Sequence, residues 1–580
     1  MNDLYIAKLK PLILILTLSV LSLSFASSSS SAVTSPFGIH AGLTIRFRDH
    51  YGTRADATQL LADMSAAWTR EEFAWEAIEP NPHLMPRQYR WRADGYFDYD
   101  EALELAAAHE IQVLGLLSYG PRTNVNTGAV YNAQGLPPDL IPDAAPISAW
   151  LPAWRDYVRA VVTRYGDYID YWEIQNEPNS VGFWRKVDLT AASPSAADYV
   201  TVLQAAYEVI QEVNPGDKIV LGGLSYEGYN QGVDYYDYLW QIYEAGGWPY
   251  FDILAFHPYR WPAFPEQVLP RTRFDVRTRS YQSEWLDYNY TDEIQAFNTL
   301  MAGWGAKPLW ITEIGWPVAA LAQRASERNT QPEIVQSDYL IRAYVQSIAA
   351  GVENIFWYDF RDDYWVENDP NESSFGLVRG DFSPKPAYHA FGVMASLLGN
   401  SRFVEQVRGQ ADRNRPGDDD VYEYRFAGNS RTVIVLWKSQ GGDIVREVAV
   451  ENIPVATVHV YGPDFTSNIS RTLESVENTI TLDLTERPVF VVYHEPTFWE
   501  ELAAKIGAWF DEQWRIAEEK LDAWWAEQQI KLEQWWQAQT EALLRQIEIE
   551  IERQLAQLCG AVLLPLVLVW TSVVLRKKYL

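Results

Sequence analysis

One cysteine, Cys559, is the only thiol in this chain of 580 residues. No intrachain disulfide can form, so an exported protein with this sequence would rest on its packed core alone. Positive charge is also short, with 47 Lys and Arg against 77 Asp and Glu and a net charge of −30. Nucleic acid needs a basic face, so it is excluded as a partner. No glycine-rich turn follows the first strand candidate, which argues against an open dinucleotide-binding sheet. No His or Cys cluster has metal-ligand spacing, so no metal and no other cofactor is expected.

Aromatic residues, by contrast, are plentiful, with 25 Trp and 34 Tyr. Such a composition suits stacking on flat apolar faces such as sugar rings, and it also suits a large core. Both ends read as segments handled by a membrane. Lys8 and Lys10 precede an apolar run and then Ser24-Phe25-Ala26, the pattern of a signal peptide over residues 1–26, with an uncleaved anchor as the alternative. The serine run Ser27 to Ser31 then reads as a flexible mature N-terminus. Residues 558–575 are eighteen positions without a charge, followed by Arg576, Lys577 and Lys578. That length suffices for one C-terminal transmembrane helix with a cytoplasmic basic tail, leaving the rest of the chain outside the cell.

Between the ends, residues 36–399 alternate apolar runs with amphipathic stretches. Eight strand candidates begin near Phe37, Ala66, Ile111, Tyr168, Lys218, Phe251, Pro308 and Asn354. This order predicts an α/β fold, a (β/α)8 TIM barrel, with a doubly wound open sheet as the runner-up. Residues 400–495 switch to short alternating strands separated by Gly, Asp and Asn, which predicts a small β-sandwich of structural rather than chemical role. Residues 497–557 follow as a charged helical pattern with an eleven-residue repeat. The repeat aligns Trp514, Trp525 and Trp536, and also Trp499, Phe510, Leu521 and Leu532. Such a period keeps an apolar seam nearly straight, as in a self-associating stalk. With 13 acidic and 6 basic residues, the segment suits anionic lipid poorly.

The stretch YWEIQNEPN, beginning at Tyr171, carries a strand pattern that stops in amide, carboxylate and proline. In a barrel the chemistry gathers at the C-terminal strand ends, and there Glu177 follows strand four and Glu313 follows strand seven. These two strands face each other across an eight-stranded mouth. A pair of carboxylates so placed can cleave a glycosidic bond, one giving a proton to the leaving oxygen and the other attacking the anomeric carbon. Asn176 is expected to donate to a sugar hydroxyl. Arg70, His257 and Tyr259 are expected to hold the attacking carboxylate ionised. Tyr119, Trp316 and Trp357 fall at the other strand ends, the two tryptophans as stacking platforms, whereas Trp172 is expected to pack inward.

The motifs WEIQNEPN and LWITEIGWP resemble the acid/base and nucleophile motifs of clan A glycoside hydrolases, and most nearly those of family 39-like members, which include β-xylosidases and bacterial exopolysaccharide hydrolases. GFWRKV, IVLGGLSYEG, FDILAFHPYRWP, FWYDFRDD and FGLVRGDFSPKPAYHAF add to the likeness over residues 36–399. It implies Glu177 as acid/base and Glu313 as nucleophile, with Asn176 and His257 in support. Gln175 departs from the pattern, since many relatives place a large aromatic there. It also implies retaining hydrolysis of a β-linked poly- or oligosaccharide, and the two end segments would place that activity at the cell surface, held by the C-terminal helix.

Plainer readings stand beside these. Asn-Glu before Pro also ends ordinary strands. His257 reads equally well as structural, and Arg70 as a brace to Glu71 or Glu72. Arg260, Arg271, Arg273, Arg277 and Arg279 lie on the long loop after strand six and would either grip an anionic sugar or pair with Glu266, Asp275, Glu284 and Asp287. The alternatives for the whole chain are a non-catalytic glycan-binding or surface-assembly protein, and a transglycosylase using the same two glutamates.

Overall fold

The computed structural model describes residues 35–558 apart from 46–51, 80–84, 94–96, 119–121, 124–129, 132–146, 181–182, 184–194, 227–231, 363–368, 410–420, 429–430, 441–444, 452, 454–456, 463–470 and 495–497. Eight parallel strand positions follow one another: β1 (Phe37–Ile39), β2 (Trp68–Ala74), β3 (Gln112–Ser118), β4 (Tyr171–Ile174), β5 (Lys218–Leu221, resumed at Leu224–Ser225), β6 (Leu254–His257), β7 (Leu309–Ile314) and β8 (Val352–Trp357). β1 lies between β8 and β2, pairing Phe37 with Ile355 and Gly38 with Trp68. Val220 bridges Ile253 and Ser225 pairs with His257, so β5 meets β6 and the sheet closes into a barrel.

Each strand leads to a helix: α1 (Arg54–Asp63), α2 (Tyr99–Ala108), α3 (Ile147–Tyr165), α4 (Ala196–Val213), α5 (Tyr235–Glu244), α6 (Tyr290–Met301), α7 (Pro332–Ala349) and α8 (Pro386–Leu398). Their starts are written locally. Thr53 and Asp56 form a reciprocal capping box on α1. Asp98, Ser195, Asp234 and Asn289 each accept from a first-turn amide of the helix they precede. α7 and α8 open with proline, which gives up only an amide that has no partner there.

The barrel lumen is filled from below by Trp68, Leu114, Val220, Ile253, Ala255, Trp310 and Phe356. Trp310 meets Trp68 edge-on at 5.3 Å and stacks on Tyr171 at 5.2 Å, so strands two, four and seven touch across the axis. This plug leaves only the upper lumen for polar groups.

After α8 come β9 (Arg402–Arg408), β10 (Val421–Gly428), β11 (Arg431–Lys438), β12 (Arg446–Val450), β13 (Thr457–Tyr461), β14 (Arg471–Glu474), β15 (Ile480–Leu484) and β16 (Val489–His494). Six form an antiparallel sheet in the order β9-β10-β11-β16-β13-β14, and β12 pairs with β15 over one face. Ile434, Leu436 and Val491 meet Val448, Val450 and Leu482 between the two layers. The opposite face, with Tyr422, Tyr424 and Trp437, joins the barrel core. Trp437 Nε1 donates to Glu266 at 2.7 Å, Glu266 also takes Arg342, and Glu486 accepts Arg324 through both oxygens at 2.7 Å. The centre of this face is therefore committed to the barrel.

A second unit holds the helix Phe498–Leu558, 61 residues without a break. At 1.5 Å per residue it is about 90 Å long. Trp514, Trp524, Trp525, Trp535 and Trp536 are exposed along it, as are Leu521, Leu532 and Leu543. Among the described residues no helix is long and apolar enough to cross a membrane. The expected signal segment 1–26 and, except for Leu558, the expected span 558–575 lie outside the described residues.

Candidate active site

Above the aromatic plug, inward positions on the strands turn ionic. On β2 the alternation that points Trp68 inward does the same for Arg70 and Glu72, and on β4 Tyr171 is followed by Glu173. Arg70 and Glu173 are fully buried and face each other, with Arg70 Nε 2.6 Å from Glu173 Oε2. Arg70 Nη1 lies 2.5 Å from Glu313 Oε1, and its Nη2 donates to Asn176 Oδ1 at 2.8 Å. One guanidinium thus ties together the ends of strands two, four and seven.

Strict alternation on β7 would put Glu313 on the opposite side from Thr312. Between Ile311 and Ile314 the strand carries one residue more than its partner β8, whose matching residues are Ile355 and Trp357. Such a bulge re-aims a side chain, and here it brings Thr312 and Glu313 to the same polar centre. β4 achieves the same by a turn. Gln175 has φ +66° and Glu177 φ +46°, left-handed values that cost a residue with a side chain roughly 1–2 kcal/mol. Ser118 at the end of β3 holds this turn, donating to Gln175 Oε1 and accepting from the Asn176 amide. Asn179 clamps its far side to Ser225 and Val233. Gln175 therefore sits past the strand end in the turn itself, not within the strand below the site.

Glu313 is surrounded by donors. Tyr259 Oη donates to Oε2 at 2.9 Å, His257 Nδ1 lies 3.7 Å away and His40 Nδ1 4.0 Å. Burial alone would raise its pKa. The His257 ring, the Arg70 guanidinium and the His40 ring, with the Tyr259 hydroxyl, more than offset burial and hold it well below the usual carboxylate range. Burial and the charge of Glu313 push Tyr259 far up, so it stays a phenol and a donor.

Glu177 has a different setting. Its Oε1 lies 2.8 Å from His257 Nδ1, and His257 Nε2 lies 2.9 Å from Thr312 Oγ1. Glu173 accepts from Arg70 twice, from the Gly223 amide and from Thr312 Oγ1 at 3.1 Å. The only hydroxyl hydrogen of Thr312 is spent on Glu173, so the hydroxyl must accept from His257, which carries hydrogen on Nε2. One proton then lies between Nδ1 and Glu177, on the ring or on the carboxyl. Gly223 is required here because a Cβ would fall 2.0 Å from His257 Nε2.

Glu177, Glu313, Asn176, Arg70, His257 and Tyr259 thus converge. Arg70 does not brace Glu71, which turns away to Thr44 and Thr69. Because Arg70 occupies Asn176 Oδ1, the amide nitrogen is the group left for a substrate. Trp316 and Trp357 are not platforms. Both are fully buried and stacked on each other at 6.1 Å, and their indole nitrogens donate to Ala263 and Phe375 carbonyls. Packing under α7, where Tyr339 meets Trp316, uses the faces a sugar would need. Trp172 is buried as expected. Tyr119 lies outside the described residues.

Four further residues belong to the centre: Glu173, Thr312, His40 and Tyr358. Tyr358 is half-buried above Glu313's strand, 5.3 Å from His40 and 6.4 Å from Tyr259 between ring centres. The sequence signal for Glu173 and Arg70 was a charge at an inward strand position. Four of the five loop arginines are engaged, though not with the expected partners: Arg271 and Arg260 pair with Glu293, and Arg273 and Arg279 lie over Trp285 and Trp304. Glu177, His257 and Glu313 also offer one metal-ligand atom each within 4.8 Å of one another, the sole such trio among the described residues. These atoms are already bound to one another through a proton and to the Arg70 cation, so the set fits proton chemistry better than a divalent ion.

No protein-family model and no curated protein matches the chain. Solved structures do. A family 39 glycoside hydrolase from Bacteroides cellulosilyticus WH2 aligns over 79% of this chain and 80% of its own, with TM-score 0.56 and 22% identity. A GH39 enzyme from Xanthomonas axonopodis pv. citri aligns over 80% and 96%, with TM-score 0.48 and 12% identity. A GH30 endoxylanase from Clostridium papyrosolvens C71 gives 80% and 98%, 0.47 and 12%. The first of these likenesses carries the conclusion that the chain has the fold of a family 39 glycoside hydrolase.

Proposed function

We propose that this chain is a retaining glycoside hydrolase that cleaves O-glycosidic bonds of a β-linked poly- or oligosaccharide by double displacement. The observation that carries this is the meeting of two carboxylates in opposite settings, an oxygen of Glu177 within 4.8 Å of one of Glu313. That spacing is nearer the roughly 5–5.5 Å of retaining enzymes than the about 6.5–9.5 Å of inverting ones, and it supports direct attack. Glu313, held ionised, attacks the anomeric carbon while Glu177 gives its proton to the departing oxygen, so the C–O bond breaks and a glycosyl ester forms. Glu177, now a carboxylate, takes a proton from water as that water attacks the same carbon and releases Glu313. Asn176 Nδ2 is placed to donate to a sugar hydroxyl during both steps. We further propose, from the end segments 1–26 and 558–575, that the enzyme works outside the cell from a membrane anchor.

The test pairs two variants. Glu313→Gln should lower kcat by about 10⁴-fold or more on every substrate. Glu177→Gln should act mainly where the leaving group needs a proton, sparing a dinitrophenyl glycoside relative to an alkyl one. Equal losses on both leaving groups, or full activity without Glu313, would remove these roles.

The helix Phe498–Leu558 is proposed to pair with a second copy. The eleven-residue repeat gives both copies the same straight seam of Leu521, Trp525, Leu532 and Trp536, all exposed in the single chain. Its acidic balance disfavours the alternative of lying on anionic lipid.

A further inference from the structure

Two groups of arginines differ in their charge balance. Where the barrel meets the β-sandwich, Arg324, Arg328, Arg342 and Arg487 face Glu327, Asp338, Glu266 and Glu486, four cations on four carboxylates. Behind strand six, Arg260 and Arg271 share Glu293 alone. Both arginines are 3% exposed and Glu293 is fully buried. Tyr235 and Tyr290 pack against the trio, but burial holds both far above the usual phenol range, so neither supplies a negative charge. Asp234 accepts from Thr272, the neighbour of Arg271, and from first-turn amides of α5, and it forms no ion pair among the described residues. One positive charge is left over, in a protein whose net charge is −30.

The surplus shows in the hydrogen bonds. Arg260 gives only its Nη2, to the carbonyls of Gln267 and Tyr288, while its Nε and Nη1 have no hydrogen-bond partner. Burial, against the pull of Glu293 and with a push from Arg271, moves its pKa down. Arg271 spends Nε and Nη2 on Glu293 and on the Tyr259 carbonyl, which leaves Nη1 without a partner among the described residues. Both guanidiniums line a cleft of about 820 Å³ between the loops that follow β5, β6 and β7. Gln267 and Gln323 bring amides to it, and Glu327, its only carboxylate among the described residues, is held by Arg324.

We infer that this cleft is a binding site for a small free oxyanion of the sulfate or phosphate class, and that the bound ion steadies the hold of Tyr259 on Glu313. A guanidinium presents its donors as a planar fork that fits the oxygens of such an ion. Arg271 Nη1 is the direct donor, and the Arg260 cation beside it makes the wall positive. The ion is separate from the substrate, because neither Glu177 nor Glu313 lines this cleft. It reaches the reaction through Arg271, whose Nη2 holds the Tyr259 carbonyl at 3.0 Å, and then through the Tyr259 hydroxyl, which donates to Glu313 at 2.9 Å. The binding stands apart from the glycosidase reading, and its effect on rate rests on that reading.

The experiment is calorimetry on the full chain, titrated with sulfate and then with phosphate at an ionic strength fixed by sodium chloride. One ion per chain should bind saturably, with Kd below about 1 mM. Arg260→Met, which leaves Arg271 and Glu293 as a neutral pair, should weaken binding about tenfold or more. Arg271→Lys keeps the charge without the fork and should weaken it as well. Glu293→Gln doubles the surplus and should tighten it, and misfolding cannot produce changes of both signs. On an aryl β-glycoside the bound ion should raise kcat about twofold or more, with half of the effect at the calorimetric Kd. No saturable binding, equal binding in Arg260→Met, or binding of oligogalacturonate in place of the free ions would overturn the site. Binding with kcat unchanged would overturn the link to Tyr259. Ion binding that depends on Arg260 in a chain that releases no sugar would uphold the site and count against the glycosidase reading instead.

Discussion

The barrel and the long helix use the same residue types to opposite ends. In the barrel, Trp75, Trp154, Trp172, Trp316 and Trp357 are buried, and so are Arg70 and Glu173. In the helix, Trp514 is 71% exposed, Trp525 and Trp536 are exposed too, and Arg515 pairs with Glu512 and Glu519 in open solvent. An ion pair in water is screened and worth little. The same pair taken out of water is costly to form and more costly to break, because either charge left alone is uncompensated. Arg70 therefore fixes the protonation of Glu313 and the orientation of Asn176, whereas Arg515 does no more than decorate a helix turn. Burial ties the barrel's charges into one network, and the helix leaves its tryptophans exposed.

The contrast can be broken most severely at Arg70. Arg70→Met keeps the length of the side chain and leaves Glu173 and Glu313 buried without their cation. Loss of about 3–5 kcal/mol of stability is expected in urea titrations. The pH dependence follows from the direction of the Glu313 shift. A carboxyl held below its unfolded value contributes stability above about pH 4.3, and that contribution is lost as pH falls through the folded value. Without Arg70 the folded value rises, so both the acid limb of kcat/KM and the onset of acid unfolding should move to higher pH.

Thr312→Val is a milder change at the same centre. Its effect should be about tenfold in kcat/KM, the scale of one hydrogen bond.

The other side of the contrast is sharpened by two changes in the helix. Trp525→Glu with Trp536→Glu should reduce the sedimentation coefficient of the full chain toward that of a single copy and leave its rate on small glycosides unchanged. Arg515→Ala should change neither quantity measurably, since its partners are solvent-exposed.

Much of the barrel was legible in the sequence, because eight apolar runs alternating with amphipathic ones leave few other folds. Glu177 and Glu313 were legible because carboxylates stood where strands four and seven run out. What the sequence hid was whatever depends on register. The extra residue on β7 that turns Glu313 inward leaves no mark in the motif LWITEIGWP. Glu173 looked like one more residue of a buried strand, and only its encounter with Arg70, 103 positions earlier, gives it a role. Trp316 and Trp357 were misplaced for a related reason, since a tryptophan at a strand end serves either the mouth or the helix behind it. The loop after β6 folds into a hairpin, Leu269–Asp275 with Ser280–Tyr288, whose pairing no local signal announced.

The central claim is that Glu313 attacks the anomeric carbon from the face opposite the leaving oxygen, which Glu177 protonates, and the stereochemistry of the first product tests it most directly. Hydrolysis of a reactive aryl β-glycoside would be followed by proton NMR before the released sugar equilibrates. The account predicts the β anomer first, with its formation lost in Glu313→Gln. Appearance of the α anomer first, or β product formed at an undiminished rate without Glu313, would contradict it.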